Sequence, residues 1–186
     1  MTLGVRRNGT RIYGANILEL MPIGRSNRAA DTAGSSDPAD YAAVRAAAIA
    51  LLSRRDFGSV ALRERLVAQG FTVTAAAAVV AELQREGIVN DARFAQNYVA
   101  FHAGRGQGPV RIAAELRRKG LGETLIEGAL AEGPDWAALA RQVRTARFGA
   151  PPSGWAEKAR QARFLQYRGF SSDHIRAATG ADLDPD

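Results

Sequence analysis

The strongest constraint on the fold of this chain is a short string that recurs at a spacing near 50 residues. It reads Arg65-Leu66-Val67-Ala68-Gln69-Gly70-Phe71, then Glu115-Leu116-Arg117-Arg118-Lys119-Gly120-Leu121, then Phe164-Leu165-Gln166-Tyr167-Arg168-Gly169-Phe170. The glycines stand 50 and 49 residues apart. Each string reads as the last turn of an amphipathic helix, with an inward leucine and a glycine where the helix stops. A unit repeated at this period cannot bury its apolar face alone, so the pattern predicts stacked helical units.

The residues between the glycines supply three helices per period. In the first unit, Tyr41, Val44, Ala48 and Leu51/Leu52 mark one face of a helix that runs to about Asp56-Phe57-Gly58. Leu62 and Leu66 mark a second helix, and Val79, Val80 and Leu83 a third, with Thr74 as its N-cap. In the second unit, Phe94, Tyr98 and Phe101 form one face, Pro109 opens the next helix, and Leu125, Ile126, Ala129 and Leu130 form the third. The third unit begins at Asp135-Trp136 with Leu139 and Val143 inward, breaks at Pro151-Pro152, and resumes with Trp155, Ala159, Ala162 and Leu165 inward. A short last helix near Ser172 carries Ile175. The expected architecture is all-α: tandem three-helix repeats over residues 39–87, 88–134 and 135–180, stacked into an elongated, curved array.

Residues 1–38 lack this periodicity. Asn8-Gly9 permits a short hairpin, and the Ser-, Asn- and Gly-rich run from Gly24 to Pro38 reads as a flexible linker. Residues 181–186 form an acidic tail. No apolar run approaches the roughly 18 residues of a membrane span. The N-terminus has no signal-peptide core, so a soluble, cytoplasmic protein without membrane contact is expected.

The net charge is +6, and its placement matters more than its size. Residues 135–180 carry eight basic and three acidic groups, the largest excess of any segment. Such an excess suits a polyanion, or a protein that works on one. The chain has no cysteine and only two histidines, His102 and His174, far apart. No nucleophile–base pair, carboxylate pair or ligand cluster stands out, so no enzyme, metal or cofactor is expected. Gly104-Arg105-Gly106-Gln107-Gly108-Pro109 lacks the Gly-Lys-Ser/Thr ending of a phosphate-binding loop and reads as a turn between helices.

One segment is more specific than the rest. Ile88-Val89-Asn90-Asp91-Ala92-Arg93-Phe94-Ala95-Gln96-Asn97-Tyr98-Val99 is followed by Gly108-Pro109-Val110-Arg111-Ile112-Ala113-Ala114-Glu115-Leu116-Arg117-Arg118-Lys119-Gly120-Leu121. This resembles the signature of the RecX family of recombination regulators over about residues 40–180. It departs from the family at Phe101-His102-Ala103-Gly104, which lacks an arginine that Arg105 replaces, and at the Pro151-Pro152 loop. The resemblance implies a monomeric, non-enzymatic regulator that lies in the groove of a RecA–single-stranded-DNA filament. Bound there it would limit ATP hydrolysis, filament extension, strand exchange and co-protease activity in DNA repair and the SOS response. Direct contact with the single-stranded DNA is compatible with that placement.

Within this motif, Asp91 reads as a helix cap, and Arg93 as the partner of a neighbouring carboxylate. Phe94, Tyr98, Ile112 and Leu116 read as core, Gly120 as a helix stop, and Glu115–Lys119 as an ion pair on one helix face. Arg105, Arg111, Arg117, Arg118, Lys119, Arg160, Arg163 and Arg168 are the candidate partner-binding residues. Arg141, Arg144 and Arg147 recur on part of one further helix. A stand-alone helical module that binds nucleic acid without a recombinase is the alternative reading.

Overall fold

A computed structural model describes residues 38–180. The expected N-terminal hairpin and linker and the acidic tail lie outside the described residues. Among the described residues, all regular structure is helical: α1 Pro38–Leu52, α2 Ser59–Ala68, α3 Val73–Arg85, α4 Asp91–Gly104, α5 Pro109–Arg118, α6 Glu123–Ala131, α7 Trp136–Phe148, α8 Trp155–Arg168 and α9 Ser172–Thr179. Pro109 occupies the first turn of α5, where its missing N–H costs no hydrogen bond. Thr72 rather than Thr74 caps α3, its hydroxyl accepting from the Ala75 N–H. α1 stops at Leu52, short of Phe57, which packs into the first apolar cluster from the following loop.

The apolar side chains gather into three clusters, one per helix triplet. Val44, Leu62, Leu66, Val79 and Leu83 centre the first; Val99, Ile112, Leu116 and Ile126 the second; Ala140, Leu165 and Ile175 the third. Burying each of the larger side chains contributes roughly 1.5–3 kcal/mol. Leu66, Leu116 and Leu165, the leucines of the repeated string, are each fully buried. Each helix packs mainly on the other two of its own triplet. Apolar continuity between triplets is slight, and Leu139 packs on both the second and the third cluster.

Five side chains differ from the faces their spacing predicts. Phe101 is 58% exposed, so the inner face of α4 is Phe94, Ala95, Val99 and Ala103. Leu125 is exposed, so the inner face of α6 is Ile126 and Ala129. In α7 the buried positions are Ala140 and Arg144, with Leu139 and Val143 at the flanks. Trp155 is 83% exposed rather than inward, and Gln161 is buried in its place on α8. For Trp155 the cause is length. Counted back from the buried leucine, α2 and α5 each begin seven residues earlier, whereas α8 begins ten earlier. Trp155 sits on that added turn, beyond the reach of the core.

Two narrow seams join the triplets, and they are built alike. In each, the start of the second helix of one triplet meets the turn after the second helix of the next. Between the first and second triplets, α2 begins at Ser59 after Gly58, which has no side chain to cap it, and Asp91 supplies a cap from α4. The Ser59 N–H donates to Asp91 Oδ1 at 2.7 Å, and the Ser59 hydroxyl donates to Oδ2 at 2.6 Å. Gly120 presses on Val60, leaving no room for a Cβ. Between the second and third triplets, the Gly108 N–H donates to the Arg168 carbonyl at 2.9 Å and the Val110 N–H to the Gly169 carbonyl at 3.0 Å. A Cβ on Gly108 would lie 2.3 Å from the Gly169 carbonyl. Gly169, at φ 89°, is in a left-handed conformation and packs directly on Arg111.

Candidate partner-binding surface and the motif network

The motif residues of α4 and α5 converge on one carboxylate. The Tyr98 hydroxyl donates to Glu115 Oε2 at 2.8 Å, and Arg111 Nε donates to Oε1 at 3.0 Å. His102 stacks on the Tyr98 ring with centroids 4.0 Å apart, and its Nδ1 is 2.7 Å from Gln107 Oε1. Lys119 Nζ lies 5.3 Å from the centre of the Tyr98 ring, a cation–π contact. Burial pushes up the Glu115 carboxyl, but the hydrogen bonds from Tyr98 and Arg111 outweigh it and hold the group below the usual glutamate range. Burial, reinforced by the adjacent Glu115 carboxylate, pushes the Tyr98 phenol up to about 12.

This network revises several expectations. Glu115 pairs with Arg111, one turn before it, rather than with Lys119. Arg93 donates to the Ile88 carbonyl at 2.9 Å and not to a carboxylate. Asp91 does cap a helix, but that helix is α2 of the preceding triplet; α4 is capped by Asn90, which accepts from the Arg93 N–H at 2.9 Å. Phe94, Ile112 and Leu116 are buried as expected, while Tyr98 is half-buried. Gly120 follows the end of α5 and serves the seam.

The candidate cations fall into two groups. Arg111 is held by Glu115 and by its contact with Gly169, and Arg117 by a two-pronged pair with Glu123. Arg118 donates back to the Ala114 carbonyl, and Lys119 lies over Tyr98. The others gather toward the third triplet. Arg168 lies 5.3 Å over Phe164 and donates to the Arg105 carbonyl at 3.4 Å, joining two residues 63 positions apart in the chain. Arg105 lies over Phe101, Arg160 lies over Phe148, and Arg163 is exposed. The fold adds Arg147, which lines the same depression as Arg105 and Arg168.

Arg144 does not share that surface. It is buried, donating to the Ala150 carbonyl at 3.0 Å and to the Thr145 hydroxyl at 2.9 Å. The three-residue spacing of Arg141, Arg144 and Arg147 therefore reads as a surface stripe but is divided between core and solvent.

Among the described residues, no group of three or more His, Asp or Glu stands where it could hold a metal ion. No helix among them is long and apolar enough to cross a membrane. Tandem helix triplets joined by glycine seams, with arginines along one joint, define a helical-repeat protein.

Comparison with known proteins places the chain within that class. Residues 90–130 match the family model described as the second three-helix domain of RecX, and residues 135–179 match the third. A protein of Halorhodospira halophila named "Regulatory protein RecX" is 44% identical over 141 residues, which is 75% of this chain and 88% of the relative. One of the same name from Vibrio vulnificus is 40% identical over 133 residues, covering 70% of this chain and 87% of the relative. The crystal structure of RecX from Lactobacillus salivarius shares the fold, with a TM-score of 0.68 at 20% identity over 76% of this chain and 95% of that one. The chain belongs to the RecX family of regulatory proteins.

Proposed function

We infer that this chain is a non-enzymatic, cytoplasmic regulator that binds the RecA recombinase filament on single-stranded DNA and restrains it. Its action is mainly inhibitory, limiting ATP hydrolysis, filament extension, strand exchange and co-protease activity in DNA repair and the SOS response. The observation that carries this reading is the kinship with proteins named as RecX regulators across three quarters of the chain. The placement of charge supports it. Among the described residues, Arg105, Arg147, Arg163 and Arg168 form no ion pair with a carboxylate, and with Arg160 they lie in or beside the third triplet, open to an acidic surface or to phosphates. No cofactor is required by a function that consists of binding.

The test is DNA-dependent ATP hydrolysis by a RecA recombinase, with this chain titrated in below one copy per recombinase protomer. Inhibition at such ratios is the expected result, because one regulator in the groove touches several protomers. Tight, steeply salt-dependent binding to bare DNA, with no effect on the recombinase, would instead establish a stand-alone nucleic-acid-binding module.

A further inference from the structure

Two depressions lie side by side along α4 at the joint of the second and third triplets. One, of about 460 Å³, runs toward α7 and α8, and the other, of about 710 Å³, runs toward the end of α6. They share Ala103, Gly104 and Leu139, so they form one groove. Its floor at the first end is apolar, built from Leu139, Val143, Ala146 and Phe164. The rim there carries Arg105, Arg147 and Arg168, none of them paired with a carboxylate among the described residues. The opposite end carries Glu132, which accepts from Gln96 at 2.6 Å.

We propose that this groove is the docking site for an acidic, leucine-bearing peptide segment of a protein partner, with its carboxylates at Arg105, Arg147 and Arg168 and its apolar side chains on Leu139, Val143 and Phe164. An apolar floor with charge confined to the rim is the arrangement of a protein interface. Unpaired arginines are the groups best suited to take carboxylates there, because the planar guanidinium meets a carboxylate in two parallel hydrogen bonds. A nucleic-acid strand fits the groove less well. Stacking of bases needs open aromatic faces, and the one aromatic ring in the floor, Phe164, is covered by Arg168 on its face and met edge-on by Phe148 at 5.3 Å. The proposal deepens, and rests on, the reading of this chain as a regulator that works by binding a protein.

Gly104 offers a way to block the groove without disturbing the fold. It lines both depressions, and a Cβ built on it meets nothing within 4 Å. The experiment uses the full chain, its Gly104→Trp variant and an Arg147→Glu variant, each checked for helix content and thermal unfolding. Fluorescence anisotropy is followed with a labelled synthetic peptide of alternating glutamate and leucine pairs, with an unlabelled thymidine oligonucleotide as competitor. The expected result is saturable peptide binding, weakened about tenfold or more by each variant and not displaced by the oligonucleotide. No binding to the unmodified chain, binding to either variant as tight as to the unmodified chain, or displacement by the oligonucleotide overturns the proposal. Titrating the same proteins into the recombinase assay separates the two conclusions. Inhibition by the unmodified chain alongside a failed peptide result removes the groove alone, and groove binding without any effect on the recombinase removes the regulatory reading alone.

Discussion

A single carboxylate, Asp91, ties two helix triplets together. Its two oxygens take both the N–H and the hydroxyl of Ser59, and so finish the open start of α2 from another helix. A cap of this kind is worth roughly 0.5–2 kcal/mol. Asp91→Ala is therefore expected to lower unfolding stability by about 1–2 kcal/mol in urea titrations, and Ser59→Ala to add little once Asp91 is gone. Full additivity of the two losses would show that they do not act as one unit. Gln161 makes the opposite case. It fills the core position that Leu62 and Ile112 hold in the other triplets, and its carbonyl oxygen is buried without a partner among the described residues. Gln161→Leu is expected to raise stability by about 1 kcal/mol, read as a higher Tm, since an unsatisfied buried acceptor is exchanged for apolar contact. The sequence shows Asp91 to be a cap but not which helix it caps, because that depends on a contact 32 residues away. Gln161 and Arg144 could not be placed inside from spacing, since polar side chains at those positions read as surface.

α5 is the helix in which most of the family pattern is spent. Its first turn, Gly108 to Arg111, meets the following triplet through two backbone hydrogen bonds and a close glycine contact. Its middle holds Glu115 between Tyr98 and Arg111, and its inner face buries Ile112 and Leu116. The Glu115 carboxyl is held below its ordinary range of about 4.3, so its ionised form favours the folded state. That contribution is fully present above the ordinary range and is lost as acidification carries the pH down through the folded value. Glu115→Gln is expected to lower stability at neutral pH and to flatten its loss on acidification below the ordinary glutamate range, measured by chemical denaturation at a series of pH values. An unchanged acid limb would mean that other carboxylates govern it. The helical period of α5 and the inward positions of Ile112 and Leu116 are legible in its sequence. The partner of Glu115 is not, because Arg111 and Lys119 stand at equal distance along the helix, and only the fold decides that Lys119 goes to the Tyr98 ring.

Across the whole described molecule, three small clusters replace one large core. The third is the least apolar: five buried hydrophobic residues centre it, against ten in each of the others, and Arg144 and Gln161 share its interior. Stability is then unevenly distributed, and the weakest unit is the one that opens first. Amide hydrogen exchange is expected to be faster in α7–α9 than in α1–α6 under native conditions. Uniform protection across all nine described helices would show that the seams couple the triplets into one cooperative unit. The 50-residue period is plain in the sequence, because leucine and glycine return in register. What spacing cannot convey is that the joints are made by backbone groups, small residues and one carboxylate, whose contacts leave no apolar signature along the chain.

Trp155 has a practical consequence for following this protein. The chain has two tryptophans, and they sit in opposite settings. Trp136 is tucked in at the start of α7, its indole N–H donating to the Leu130 carbonyl at 3.1 Å, whereas Trp155 stands in solvent on the first turn of α8. Their emission therefore separates into a shielded, shorter-wavelength component and a water-exposed, quenchable one. Iodide or acrylamide will silence the second far more than the first. Without any attached dye, the molecule thus reports unfolding through one indole and anything that settles over the start of α8 through the other.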